Sequence, residues 1–258
     1  MAARAIWKAS IVVGKTKLAV KLYSGVQEHT IHFRLLHKTD LAPVQQKMID
    51  SDTGDPVESK DIRKASPVGR SRMVMLEDEE LESIAPKDSR EIEVTRFVDP
   101  SAIDHRWYER AYYLGPDGDT AAYFAAAEAL RKKKKEGVAK WVMRKKHYIG
   151  ALREDGGYLV LIALRYAEEV IDADALPRPG GRPLQAKEIA MGEQLIETLA
   201  GKFDPAAFRD EYRDRVMDLI NAKAKGRKPK LATFKPKKTS DDALTSALAA
   251  SLRRKKVA

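Results

Sequence analysis

Over the first 170 residues, apolar and polar positions alternate with the period of two that a half-buried strand requires. Leu18, Val20 and Leu22 alternate with Lys17, Ala19, Lys21 and Tyr23. Residues 5–13 place Trp7, Ala9, Ile11 and Val13 on one face, and residues 29–37 place Ile31, Phe33 and Leu35 on one face. Further strands are predicted at 70–76, 91–98, 138–144, 146–153 and 157–164. Turn chemistry separates them: Asp52-Thr53-Gly54-Asp55-Pro56, and Glu154-Asp155-Gly156-Gly157, which predicts a hairpin. Many short strands at this spacing suit a barrel or a sandwich.

Two stretches inside this region read with the helical period instead. Thr120 is placed to cap a helix through about Glu136, with Gly137 to end it and Tyr123, Phe124, Ala127 and Leu130 as its apolar positions. A shorter acidic helix is predicted over 78–84. A Pro/Gly-rich segment at 177–183 marks a boundary, and the pattern beyond it is helical. Residues 185–200 predict one helix ended by Gly201. Asp204, with Pro205 in the first helical position, predicts another running to about Ala222, with Phe208, Tyr212, Val216 and Leu219 on a buried stripe. Residues 223–240, rich in Lys, Arg and Pro, predict a flexible basic linker. Residues 241–258 predict a last amphipathic helix. Its stripe of Leu244, Leu248 and Leu252 needs a partner, and its charges, Asp241 and Asp242 first and Arg253 to Lys256 last, match the helix dipole.

Composition narrows the function classes. The chain has 258 residues, 33% of them charged, and no cysteine. A disulfide scaffold, a Cys-ligated zinc site, an iron–sulfur cluster and a thiol nucleophile are thereby excluded. The longest apolar run, Tyr158 to Leu164, is too short to span a bilayer, and the N-terminus lacks the apolar run of a signal peptide. A cytoplasmic protein is expected, without a membrane partner. The net charge of +10 suggests a polyanion. Its location changes the picture, because residues 223–258 hold twelve Lys and Arg against two Asp, which leaves 36 of the 48 basic and 36 of the 38 acidic residues in 1–222. The body is neutral overall but segregated. Residues 60–72 hold Lys60, Arg63, Lys64, Arg70 and Arg72 against Asp61, residues 131–146 are strongly basic, and residues 77–93 are acidic.

Several motifs resemble catalytic or ligand sites and do not fit them. Gly14-Lys15-Thr16 follows an apolar run, but position 9 is Ala and the flanking pattern is a strand, so it is no phosphate-binding loop. Asp50, Asp52 and Asp55 hint at a calcium loop, but its Gly and Glu positions are Asp55 and Asp61. His29, His32 and His37 would fall on opposite faces of one strand and cannot converge. No constellation of acid, base, nucleophile or metal ligands emerges, so no enzyme, cofactor or metal is expected. The Lys132–Lys135 run admits two readings, cations at a helix C-terminus or nucleic-acid contact. Pro67 and Gly69 break regular structure in 60–72. The basic residues there are therefore expected on an extended, exposed connection, where phosphate contact is the favoured role. Lys15, Lys17, Arg144, Lys145 and Lys146, at strand turns, are further candidates for DNA contact.

A set of ordered motifs adds a family resemblance. Arg4-Ala5-Ile6-Trp7-Lys8, Val20-Lys21-Leu22-Tyr23, and His32-Phe33 followed by Leu36-His37 resemble the start of bacterial Ku. So do Tyr112-Tyr113-Leu114-Gly115-Pro116-Asp117, Arg165-Tyr166-Ala167-Glu168-Glu169-Val170, and Phe203-Asp204-Pro205 followed by Glu211-Tyr212-Arg213. The likeness runs from residue 2 to about 223.

The resemblance implies an α+β chain. A β-barrel core at 1–176 would carry an extended bridge at about 57–76, and a C-terminal helical arm would occupy 177–222. Two bridges would close a ring as a homodimer around double-stranded DNA ends, for non-homologous end joining at the nucleoid. The 241–252 helix resembles the segment through which bacterial Ku engages ATP-dependent DNA ligase D. Many relatives carry Cys-x-x-Cys where Asp50 and Thr53 stand here, so no metal is expected at that turn. The competing class is a nucleic-acid-binding barrel, nucleoid-associated or RNA-binding, without end dependence.

Overall fold

The computed structural model describes residues 4–227 except 179 and 182. Seven strands close a barrel: β1 (Trp7–Val13), β2 (Thr16–Ser24), β5 (Glu91–Val98), β6 (Tyr108–Pro116), β7 (Glu136–Met143), β8 (Lys146–Asp155) and β9 (Tyr158–Leu164), in the order β1-β2-β6-β9-β8-β7-β5. The strands β3 (Lys64–Val68) and β4 (Arg72–Leu76) form a separate hairpin. An odd number of strands cannot close by antiparallel pairing alone. The seam is the parallel pair β1–β5, with Ile11 opposite Ile92.

The alternation read from the sequence fills the barrel. Ala9 and Ile11 from β1, Val20 and Leu22 from β2, Ile92 and Val94 from β5, and Leu159, Leu161 and Ala163 from β9 share one buried core. Trp141 and Tyr148 stack inside it, with centroids 5.3 Å apart and rings 10° from parallel. Gly150 lets these rings in, because a Cβ there would stand 2.7 Å from the Trp141 ring and 2.6 Å from the Ile162 carbonyl oxygen.

The helix α2 (Thr120–Lys133) covers the barrel end at which β6, β8 and β5 finish. Its N-cap is Asp119, whose carboxylate accepts from the Ala122 amide, rather than Thr120. It ends at Lys134, which adopts the left-handed conformation at φ 51°. Gly137 instead lies within β7, close against Val94 and Phe97. Tyr123 is fully buried, and its hydroxyl donates to the Leu114 carbonyl and accepts from the Leu159 amide at 2.8 Å. It thereby joins the last residues paired between β6 and β9. Phe124 is half exposed.

Three further expectations are corrected. Residues 29–37 form no strand: the barrel is closed and leaves them no edge to join, and Phe33, Leu35 and Leu36 stay exposed. Residues 108–116 form β6, although the Ala111–Leu114 run hides its alternation. Asp204 caps only a short 3-10 turn at 205–207. The longer helix α4 (Glu211–Ala224) begins after Asp210, whose side chain accepts from the Arg213 amide. Phe208 and Tyr212 are exposed rather than buried.

The acidic helix α1 (Asp78–Ile84) forms where predicted. The chain divides into two compact units at 175/176, and the second contains α3 (Ala186–Leu199) and α4. No helix among the described residues is long and apolar enough to cross a membrane.

Candidate nucleic-acid interface

Strand direction sorts the basic turns. β1, β5, β6 and β8 run one way and β2, β7 and β9 the other, so the β1–β2 and β7–β8 turns lie at opposite ends of the barrel. The insertion 25–77 leaves from the end of β2 and returns through α1 to the start of β5. It therefore emerges at the end that carries Arg144, Lys145 and Lys146. Lys15 and Lys17 belong to the opposite end, and Lys17 is also held by Glu91. The ten residues singled out in the sequence thus do not form one cluster.

The insertion is not one extended arm over 60–72. It doubles back as the β3–β4 hairpin with Gly69 at φ 71° in its turn. Pro67 is accommodated because a two-stranded ribbon has a free outer edge, where a missing N–H leaves no ladder partner unsatisfied. At about 3.4 Å per residue the five-residue strands span roughly 17 Å, well short of the reach of a single extended connection.

The register gives this hairpin two unlike faces. Lys64, Ser66 and Val68 pair with Leu76, Val74 and Arg72, while Ala65 and Pro67 pair with Met75 and Met73. Alternation places the first set on one face, with its two cations, and the second on the other, entirely apolar. Met73 and Met75 are 61% and 68% exposed.

The cations differ in what holds them. Lys60 pairs with Glu58 at 2.8 Å, Arg63 with Glu77 at 3.6 Å and Lys64 with Asp78 at 2.7 Å. Lys145 reaches Glu82 at 2.7 Å, which ties α1 to the barrel turn. The bond from Lys64 holds the Asp78 carboxyl below its ordinary range, and the bond from Lys145 does the same for Glu82. Arg70, Arg72, Arg144 and Lys146 are exposed and, among the described residues, form no ion pair.

Arg90 joins them and was not read from the sequence, since it lies in a stretch whose overall charge is acidic. It lines an open cleft of about 520 Å³ with Arg144, between the start of β1 and the end of β7. Arg144 and Lys145 also occupy the β7–β8 turn at φ 54° and 59°. A two-residue hairpin turn of that shape favours Asn-Gly. Placing two long basic residues there costs roughly 1–2 kcal/mol each.

Between Ser24 and the hairpin the chain makes two matching turns. The His37 amide donates to the Ala42 carbonyl and Leu41 to His37; the Asp50 amide donates to Asp55 and Gly54 to Asp50. Leu41 and Gly54 both take positive φ, and Leu36–Pro43 and Ile49–Pro56 bridge the two turns' ends. His37 Nδ1 lies 2.7 Å from Asp40, and Asp50 accepts the amides of Asp52 and Thr53. Among the described residues no group of three or more His, Cys, Asp or Glu is placed to hold a metal.

A barrel with this insertion has a counterpart among known families. The family model for the Ku70/Ku80 beta-barrel domain matches residues 12–195. The chain belongs to the Ku family. Non-homologous end joining protein Ku 2 of Geotalea uraniireducens is 38% identical over 98% of this chain and 99% of its own length. The Ku of an Anaeromyxobacter species is 34% identical, over 97% of this chain and 85% of its own. The Ku of Archaeoglobus fulgidus is 33% identical, over 87% and 89%. The Ku barrel thus accounts for the fold read from strand alternation, and the two-faced hairpin lies within the matched region.

The candidate partner site, Leu244, Leu248 and Leu252, lies outside the described residues, as do most of the basic linker and the final predicted helix.

Proposed function

We propose that this chain binds the ends of double-stranded DNA as a ring-shaped homodimer, without reading sequence, and serves non-homologous end joining at the nucleoid. The observation that carries the reading is the two-faced hairpin. Its cationic face and tip, with Arg70 and Arg72, project from the barrel end that also bears Arg90, Arg144 and Lys146. Its apolar face and the exposed Phe33 and Leu35 of the same insertion offer a second copy a surface to cover. The names of the relatives, non-homologous end joining protein Ku, support the same role.

Guanidinium and ammonium groups on flexible stems suit phosphate contact, which positions a duplex and carries no sequence information. Discrimination of ends then comes from topology, since a closed ring must thread over a free terminus. Lys60, Arg63, Lys64 and Lys145 join the DNA contacts once their carboxylate partners yield. Lys15 and Lys17, at the far end of the barrel, contribute less.

The test is competition. Excess closed circular duplex should fail to displace labelled linear duplex, while excess linear duplex should displace it. Equal competition by circular DNA would overturn end binding and favour a nucleic-acid module without end dependence.

Recruitment of ATP-dependent DNA ligase D belongs to the same proposal and is assigned to the 241–258 segment with Leu244, Leu248 and Leu252. Deleting 241–258 should spare DNA binding and abolish ligase stimulation. Retained stimulation would remove that role.

A further inference from the structure

We infer that Glu77, Asp78 and Glu82 are positioning residues of the DNA site: they occupy, in the free protein, the places that DNA phosphates take on binding. The inference rests on the proposed DNA binding and adds a step to it. A carboxylate and a phosphate present the same kind of acceptor to a guanidinium or an ammonium. Each of these three residues holds one cation of the candidate interface: Arg63, Lys64 and Lys145 respectively.

The placement of α1 makes the three contacts one device. The helix begins directly after β4, so Glu77 and Asp78 stand at the root of the hairpin, across from Arg63 and Lys64. One turn further on, Glu82 reaches the β7–β8 turn of the barrel. The helix therefore bridges the hairpin root and the barrel end through the cations that would otherwise point freely at a ligand. All the pairs are solvent-exposed, so each is weak and readily exchanged. A lone phosphate gains little by displacing one carboxylate. A duplex, presenting several phosphates together, displaces all of them in one event. The device thus raises the threshold for small anions and holds the cations oriented for the duplex.

A neighbouring carboxylate supplies the control. Glu79 lies on the same short helix, carries the same charge and, among the described residues, forms no ion pair. Removing any acidic charge near DNA raises affinity through the general field. Only a residue that occupies a cation's binding position loses its effect when that cation is removed.

The experiment is a double-mutant cycle read by duplex affinity, with the full chain and a labelled linear duplex. D78N should raise affinity about threefold per subunit in the parent, consistent with the weak coupling of an exposed pair. In a K64A background that rise should fall to the level E79Q gives, and E79Q should give less than D78N does in the parent. Glu82→Gln should behave likewise, with its effect removed by K145A. An equal rise for D78N in the parent and in K64A, or an E79Q effect as large as that of D78N, would overturn the inference. The cycle needs only duplex affinity, so it holds its meaning even if circular DNA competes equally and end preference fails. A parent chain that binds no duplex overturns both readings.

Discussion

Arg70 and Arg72 supply the sharpest test of the interface, because the hairpin tip leaves them unpaired while the root residues are held. A free cation that neutralises a phosphate releases a counterion condensed on the DNA, whereas a cation drawn from a carboxylate leaves that carboxylate to take one up, so the salt dependence of binding should follow the unpaired ones. The unpaired cations assigned to the duplex in each chain are Arg70, Arg72, Arg90, Arg144 and Lys146, on the hairpin and at the insertion end of the barrel. Two copies in a ring would make about ten phosphate contacts, a slope of log affinity against log salt of about −9 and a loss of about five decades between 50 and 200 mM. R70Q/R72Q removes about four of those contacts, so its slope should fall to about −5 and its loss to about three decades. Neither residue lies in the barrel core, so thermal unfolding should be unchanged. The assay is fluorescence anisotropy with a labelled linear duplex across that salt range, on parent and variant. A variant slope equal to the parent's would refute the assignment of the hairpin tip to the DNA, whatever its absolute affinity.

Three further outcomes follow from the packing. Y123F removes the hydroxyl that serves both the Leu114 carbonyl and the Leu159 amide in a fully buried place, and should lower stability by about 2–4 kcal/mol by chemical denaturation. Replacing Arg144-Lys145 by Asn-Gly should relieve the strained turn, raising stability by about 1–2 kcal/mol or more, while weakening duplex binding. Burial and the hydrogen bond to Glu136 push the Tyr108 hydroxyl up to about 12, so its contribution is complete below pH 10 and is lost as pH rises from 10 toward 12. Alkaline unfolding should therefore begin within that window, and Y108F should flatten it; an unchanged alkaline limb would dissociate Tyr108 from the effect.

The barrel was legible where each strand turned one face inward. In β1 and β2 the inward residues read directly as every second position, and they fill the core. The reading weakened where both faces were apolar or where charge was buried. In β6, Tyr113 is half exposed beside buried Tyr112 and Leu114, so the run conceals its period. At the start of β7, Glu136 is 2% exposed and held by Tyr108 and Arg153, so a charged residue that would normally end an apolar pattern begins one instead. The helix before it stops on a lysine in the left-handed conformation, where the nearby glycine looked the better terminator.

The candidate interface was legible as a charge cluster but not as a geometry, and the difference lies in pairing. Counting cations in 60–72 treats Arg63 and Arg70 alike. The fold separates them, because doubling back into a hairpin carries Arg70 to the tip and leaves Arg63 at the root beside Glu77. The same folding back sorts the insertion into a cationic and an apolar face, a division that requires the register and not the composition. It also explains how a body with equal numbers of acidic and basic residues can serve a polyanion. Its acidic residues are spent locally: Glu58, Glu77, Asp78 and Glu82 each hold a neighbouring cation. Among the cations left over, Arg70, Arg72, Arg90, Arg144 and Lys146 lie at one end of the barrel and on the hairpin that projects from it. A neutral total and a positive site are therefore compatible, since a duplex responds to the local potential and not to the sum.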